Sequence, residues 1–171
     1  MKKKKIKTVQ YRRKREGKTD YKLRLKLLLS NKARLVVRKS LKNITAQIIS
    51  LDKKGDKVIV SAEGKELKDL GWKFSNNNIP AAYLVGLLIG NKAKEKKVSE
   101  VILDIGLNRS SKGSKLYAVL KGAVDAGLQI PHSKGKVPEE NRITGKFIED
   151  YSKKPITSAF NQIKEKIMKG N

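Results

Sequence analysis

Five cations, Arg12, Arg13, Lys14, Arg15 and Lys18, crowd one short polar stretch, YRRKREGKTDY, closed at its ends by Tyr11 and Tyr21. Protonated guanidinium and ammonium groups are poor acids and no nucleophiles, so the chemistry open to them is electrostatic. A core cannot bury so many unpaired charges, and the stretch must stay in water or lie against a polyanion. Arginine's planar fork favours bidentate contact with phosphate and also stacks on bases. Tyr11 and Tyr21 suit two uses, stacking on unpaired bases or anchoring the stretch to a domain. A merely solubilising tail usually mixes its signs; this one hardly does, and we read it as a nucleic-acid-binding arm.

A second basic group, Arg34, Arg38, Lys39, Ser40 and Lys42, falls on or just after the run ARLVVRK. If that run is a strand with Leu35 and Val37 facing inward, Arg34, Val36 and Arg38 point outward together. Either a basic sheet face beside the arm or ordinary protection of a sheet edge by charge would result. A third group lies in Gly106–Lys115, GLNRSSKGSK, which follows one apolar run and opens another. Glycine, serine and lysine at a helix N-terminus can hold a phosphate, and a plain capped connection reads equally well. Its spacing is not that of a nucleotide P-loop. His132 is the sole histidine, so neither a histidine metal cluster nor a Ser-His-Asp triad can be built; beside Lys134 and Lys136 it is either solvated or a phosphate contact. A metal nuclease needs several carboxylates at strand ends, and Asp104 and Asp125 are the only tempting ones. Trp72 suits packing better than base stacking. No catalytic residue, cofactor or metal ligand is expected.

Charge decides among the wider classes. The chain of 171 residues carries 41 Lys+Arg against 16 Asp+Glu, a net +25. Residues 1–42 alone hold 18 basic and two acidic side chains, and residues 43–171 hold 23 and 14. So uneven a field recruits a polyanion, whether RNA, DNA or an anionic membrane. There is no cysteine, hence neither a disulfide nor a thiolate metal site. MKKKKIK lacks the apolar stretch of a secretory signal. The longest apolar run, Ile79–Gly90, is about 12 residues against the ~20 needed to span a bilayer. A soluble intracellular protein is expected, in which the sequon matches at Asn43 and Asn108 mean nothing.

The elements that must position these residues follow from period and punctuation. Residues 1–18 have no apolar period and read as an extended arm, disordered by itself. Thr19 or Asp20 caps a helix to about Ser30, although Leu23, Leu25 and Leu27 alternating with cations also fit a strand. Three strands follow, 33–39, 44–51 and 57–62, joined by short connections into an antiparallel meander with a hairpin turn at Lys53–Asp56. Pro80 opens a long helix to about Lys96. Its G-x-x-x-G, Gly86 to Gly90, predicts close packing of helix on sheet. Val98–Ile105 reads as a central strand covered on both faces. A second long helix spans 114–126, a short strand 128–130, a short helix 142–151, and a last helical element follows Pro155. The class is α/β with a mixed sheet that begins as a three-stranded antiparallel meander, flanked by helices. Its parts are an arm (1–18), a domain (19–151) and a basic C-terminal helical tail (152–171).

Taken together, several blocks resemble one family: YRRKREGKTDYKLRLKLL, ARLVVRKS, AQIISL, GWK, IPAAYLVGLLIG, VILDIGLN, GSKLYAVLKGAVDAGLQIPHS and RITGKFIEDY. In order over about residues 8–151, they are similar to the 5S rRNA-binding large-subunit ribosomal protein of the L-eighteen family in its archaeal form, whose eukaryotic counterpart is L-five. The resemblance implies a non-enzymatic protein of the cytoplasmic ribosome that clamps 5S rRNA with its arm and one sheet face and anchors it in the central protuberance. Large-subunit rRNA and neighbouring ribosomal proteins would lie close by, with no membrane and no small-molecule substrate. Matching motif by motif, it implies RNA contacts at Arg12, Arg13, Lys14, Arg15, Lys18, Thr19, Tyr21 and Arg24, at Arg38, Lys39 and Ser40, at Asn108, Lys112, Ser114 and Lys115, and at His132. To these the reading from residues adds Tyr11 and Arg34. The tail after Tyr151 is short and basic where halophilic members look acidic and longer, and Asn108–Ser111 lacks an expected proline.

Overall fold

The structure, a computed structural model, describes residues 8–169. A helical turn α1 (Arg12–Arg15) and a helix α2 (Tyr21–Leu28) precede the strands β1 (Ala33–Lys39), β2 (Ile44–Asp52) and β3 (Gly55–Glu63). There follow a turn of helix α3 (Glu66–Asp69), the long helix α4 (Ile79–Glu95), strand β4 (Val101–Asp104) and helix α5 (Lys115–Asp125). Three further helices close the chain: α6 (Glu140–Thr144), α7 (Lys146–Ser152) and α8 (Ile156–Lys169). The sheet is mixed and open, in the order β3-β2-β1-β4; β1, β2 and β3 form the antiparallel meander, and β4 joins β1 in parallel.

The period-2 pattern sorts β1 cleanly. Leu35 and Val37 enter the core with Ile44, Ala46 and Ile48 of β2, under α4 and α5. Asn78 caps α4, its side chain accepting from Ala81 N at 2.8 Å, and Pro80 sits in the first turn, where its missing N–H costs nothing. α4 is buried on nearly every side because α5 and α8 cover what the sheet does not.

The G-x-x-x-G lies against a helix and not, as its pattern suggested, against the sheet. A Cβ built on Gly86 would overlap the carbonyl oxygen of Val119 on α5, and one on Gly122 would overlap that of Tyr83 on α4. The two backbones touch where side chains are missing. Tyr83 seals this contact: its hydroxyl donates to Asp125 Oδ2 at 2.8 Å, and burial with that bond keeps the phenol protonated far above its ordinary range.

Other expectations shift for physical reasons. β4 is an edge strand, shorter than its apolar run, because only Val101–Asp104 keeps register with β1; the short strand at 128–130 reduces to a bridge between Glu100 and Gln129. The helix expected over 142–151 breaks at Gly145, whose φ of 87° leaves it beside Ile156 and Pro80. The segment after Tyr151 is not a tail hung on a domain. Ile156, Phe160, Ile163 and Ile167, at helical spacing, turn one stripe of α8 into the core against α4. Trp72 is packed in the core, its indole N–H donating to Ser75 O at 3.1 Å.

Candidate nucleic-acid interface

The arm is compact where it was expected to be extended. After Tyr11 the chain makes the turn α1, and Gly17, at φ 61°, ends it in the left-handed form while Lys18 N donates back to Arg13 O at 2.9 Å. The Tyr11 and Tyr21 rings lie 5.2 Å apart, tilted by 46°, and so fasten the start of the arm to α2. Arg13 Nε donates to Thr19 Oγ1 at 2.9 Å. Glu16 lies 3.5 Å from Arg12 and 2.9 Å from Lys18, leaving most of both cations in water. Arg12, Arg13, Lys14, Arg15 and Lys18 are all exposed, which is the condition for meeting a ligand. Residues 1–7, which hold the remaining cations of the expected arm, lie outside the described residues.

Asp20 caps α2, its Oδ1 accepting from Lys22 N at 2.9 Å and Leu23 N at 3.1 Å. Beneath α2 lies the sheet face opposite the core, and there two carboxylates organise three arginines. Asp56 Oδ2 stands 2.9 Å from Arg24 Nη2 and 3.0 Å from Arg34 Nη2. Asp104 reaches Arg34 at 3.2 Å and Arg38 at 3.1 Å, and its Oδ1 also accepts from Gly106 N at 2.8 Å. Burial by itself raises the Asp56 carboxyl, but hydrogen bonds and charge from Arg24 and Arg34 outweigh it and set its pKa below the ordinary 3.8.

Arg34 needs correction as a site residue. It does share the outward face with Arg38, yet it is only 2% exposed, roofed by α2 and spent on Asp56 and Asp104. Its guanidinium is an internal strut. Arg38 differs: Nη1 donates to Asp104 O at 2.9 Å while nearly half the side chain stays in water. A Cβ at Gly106 would meet Arg38 Cζ at 2.9 Å, so the glycine makes room for this arginine. Between arm, α2 and sheet runs a cleft of about 190 Å³, lined by Arg13, Lys18, Thr19, Arg24, Arg34 and Arg38 together with Leu23, Leu27, Val36 and Ile49.

A second group meets at the end of the sheet where β1 runs out. Lys39, Ser114 and Lys115 line one small cleft with Arg142, a residue that sequence reasoning missed. Lys112 lies beside Arg142 in the adjoining hollow. Lys115 Nζ donates to Asn77 O at 2.8 Å and its pKa is lowered, first by burial and then by Lys39. Ser40 is occupied by its own turn, with Asn43 N donating to its Oγ at 3.0 Å. Asn108 Nδ2 donates to Ile105 O at 2.8 Å within its loop, and His132 Nδ1 lies 2.7 Å from Ile130 O; neither lines the two clefts.

The two acids that bear on a metal nuclease have other partners, Asp104 between arginines and Asp125 between Tyr83 and Lys121. Among the described residues no three His, Asp or Glu side chains gather as metal ligands, and no helix is long and apolar enough to cross a membrane. Asp56 was the other omission from the sequence reading, and Asp104 was weighed there only as a metal-site acid and not as the partner of Arg34 and Arg38.

The chain matches the family described as "Ribosomal large subunit proteins 60S L5, and 50S L18" over residues 5–100 and 90–133. It is 54% identical over 144 residues to the large ribosomal subunit protein uL18 of Methanococcus maripaludis, covering 84% of this chain and 75% of that protein. It is 48% identical over 160 residues to uL18 of Methanothrix thermoacetophila, covering 94% and 95%. With relatives this similar along nearly its whole length, the chain belongs to the L5/L18 family of large-subunit ribosomal proteins, a family of structural proteins and not of enzymes.

Proposed function

We propose that this protein is built into the large ribosomal subunit in the cytoplasm, binds 5S rRNA there and helps to anchor it in the central protuberance. The observation that carries the reading is the seating of the arm. Five exposed cations stand on a turn packed against α2, and the Arg24–Asp56 pair fastens α2 to the sheet, so positive charge is presented from a fixed platform. Arg12, Arg13, Lys14, Arg15, Lys18 and Arg38 take phosphates, and Tyr11, Tyr21 and Thr19 border them. Lys39, Lys112, Ser114 and Lys115 meet a second stretch of the RNA at the sheet end. Asn108, Ser40 and His132 lie at the margin. Large-subunit rRNA and neighbouring ribosomal proteins complete the surroundings.

Each phosphate neutralised lowers the logarithm of the binding constant by about 0.7–0.9 per logarithm of salt concentration. Removing residues 1–18 is therefore expected to weaken 5S rRNA binding and flatten its salt dependence. Unchanged affinity and slope would defeat the arm's role. Duplex DNA of equal phosphate content serves as competitor; equal competition would reduce the protein to a general polyanion binder.

A further inference from the structure

Three asparagines stand in a row at 76–78, and the fold uses two of them. Asn78 caps α4. Asn77 ties two loops together, its Nδ2 donating to Ser40 O at 3.0 Å and Leu41 O at 2.9 Å while its own carbonyl accepts from Lys115. Asn76 is only 8% exposed, yet its Oδ1 is buried without a hydrogen-bond partner among the described residues. Asn43 Oδ1, just before β2, is buried and unpartnered likewise, although its Nδ2 donates to Glu63 at 3.3 Å. Gly64 lets the two asparagines meet: a Cβ there would lie 2.7 Å from Asn43 Oδ1 and 2.9 Å from Asn76 O. Native folds rarely keep a buried acceptor unbonded, because its desolvation is then uncompensated.

Both asparagines line one hollow of about 510 Å³ between the β1–β2 turn and α3. Ligand sites run to roughly 300–1,000 Å³, so the size suits a small group. Its rim carries Lys42, Lys65 and Lys68, all exposed and none in an ion pair among the described residues. Of its two acids, Glu66 is spent on Lys92 and the N–H of Glu63, which leaves Asp69 against three cations.

This set of groups selects the occupant. Unbonded amide oxygens demand a donor. Three ammonium groups at the rim disfavour a metal ion, and they disfavour a cationic peptide equally. They favour phosphates instead. A nucleotide within an RNA chain supplies both needs, its phosphates meeting the lysines and its base edge the amide. An asparagine amide matches adenine at both ends, accepting from N6 and donating to N7. Such an edge is offered by an unpaired nucleotide splayed out of its helix. The hollow also continues into the sheet-end cations through Asn77, which holds Lys115.

We infer that this hollow seats one unpaired adenine, with Asn76 on its N6/N7 edge and Lys42, Lys65 and Lys68 on the phosphates beside it. The inference rests on the proposed RNA-binding function and adds base readout to what is otherwise a reading of charge.

The test is nucleotide-analogue interference with the full chain. One arm uses 5S rRNA; the other uses large-subunit rRNA presented to the protein–5S rRNA complex. In each, purine riboside, which lacks the N6 amino group, replaces a small random share of the adenosines. Bound RNA should be depleted of the analogue at one unpaired adenine, and Asn76→Leu should abolish that depletion. The arm that shows it names the RNA supplying the base. Absence of any Asn76-dependent depletion from both arms would overturn the inference. Asn76→Leu should also weaken binding of the unmodified RNA by about tenfold, the scale of one bidentate base contact. It should not lower the urea midpoint, since the oxygen it removes has no bond to lose in the free protein. A lowered midpoint with unchanged affinity would make Asn76 a structural residue and overturn the assignment. Lys65→Gln/Lys68→Gln, at exposed positions, gives a second reading: the salt slope should fall by about 0.7–0.9 for each phosphate lost, and an unchanged slope counts against the seat. Binding of 5S rRNA by the parent chain reports on the proposed function separately. If the parent binds and no adenine depends on Asn76, only this inference fails.

Discussion

Asp104 sits where one carboxylate must serve two arginines, and only one of those arginines reaches water. Removing a buried partner costs more than the pair itself contributes, because the stranded charge stays desolvated. Asp104→Ala is expected to destabilise the fold by about 3–5 kcal/mol in urea unfolding, through Arg34. Asp56 adds a pH signature. Its pKa is lower folded than unfolded, so its ion pairs stabilise the protein above the ordinary carboxylate value and fade as pH falls through the folded one. Stability should therefore decline from about pH 5 downward, and Asp56→Asn should remove part of that decline. The cations of this network were legible in the sequence, because a run of arginines declares itself by type. Its carboxylates were not. Asp104 acquires its role from the parallel pairing that sets it opposite Val36, and Asp56 from a hairpin that folds back under α2. Both are long-range registers that no local pattern encodes.

At the scale of elements, the meander, both long helices and a cap at Thr19 or Asp20 were legible, since each follows from period and punctuation within a few residues. What was not legible is what each element packs against. The apolar run around β4 looked like a buried centre, but β4 is an edge strand in which only Val101 and Asp104 are buried, flanked by the segment after α5 through the hydrogen bonds of Gln129. The last helix carries its apolar residues at helical spacing among lysines, and that pattern by itself does not say that they meet α4. Gly86 and Gly90 signalled close approach, but the pattern pointed to the sheet and not to the true partner. That partner being α5, Gly86→Ala and Gly122→Ala each force backbone apart from backbone. Overpacking of this kind typically costs about 1–3 kcal/mol, and either substitution should lower the urea midpoint while leaving the salt dependence of RNA binding unchanged. A fall in the midpoint no larger than that of an exposed helix substitution would show that the two helices can separate freely.

Along the chain the charge falls off as a gradient, from 18 basic against two acidic side chains in residues 1–42 to 23 against 14 in residues 43–171. A gradient orients an approaching RNA before any specific contact forms. It also separates two kinds of arginine by experiment. Arg12, Arg13 and Arg15 are exposed and, on the proposed function, would release counterions on meeting phosphate; Arg34 is enclosed by carboxylates and would release none. Replacing the three exposed arginines with glutamine should reduce the salt slope of 5S rRNA binding by about 0.7–0.9 for each phosphate no longer neutralised, with little change in folding stability. Arg34→Met should do the reverse. Stability shifts because two carboxylates each lose one of their two arginines, while the slope, measured where the variant is still folded, stays at the parent value. If Arg34→Met instead flattened the slope as the arm substitutions do, the sheet face beneath α2 would have to open on binding, and α2 would be a cover over the RNA site in place of its platform.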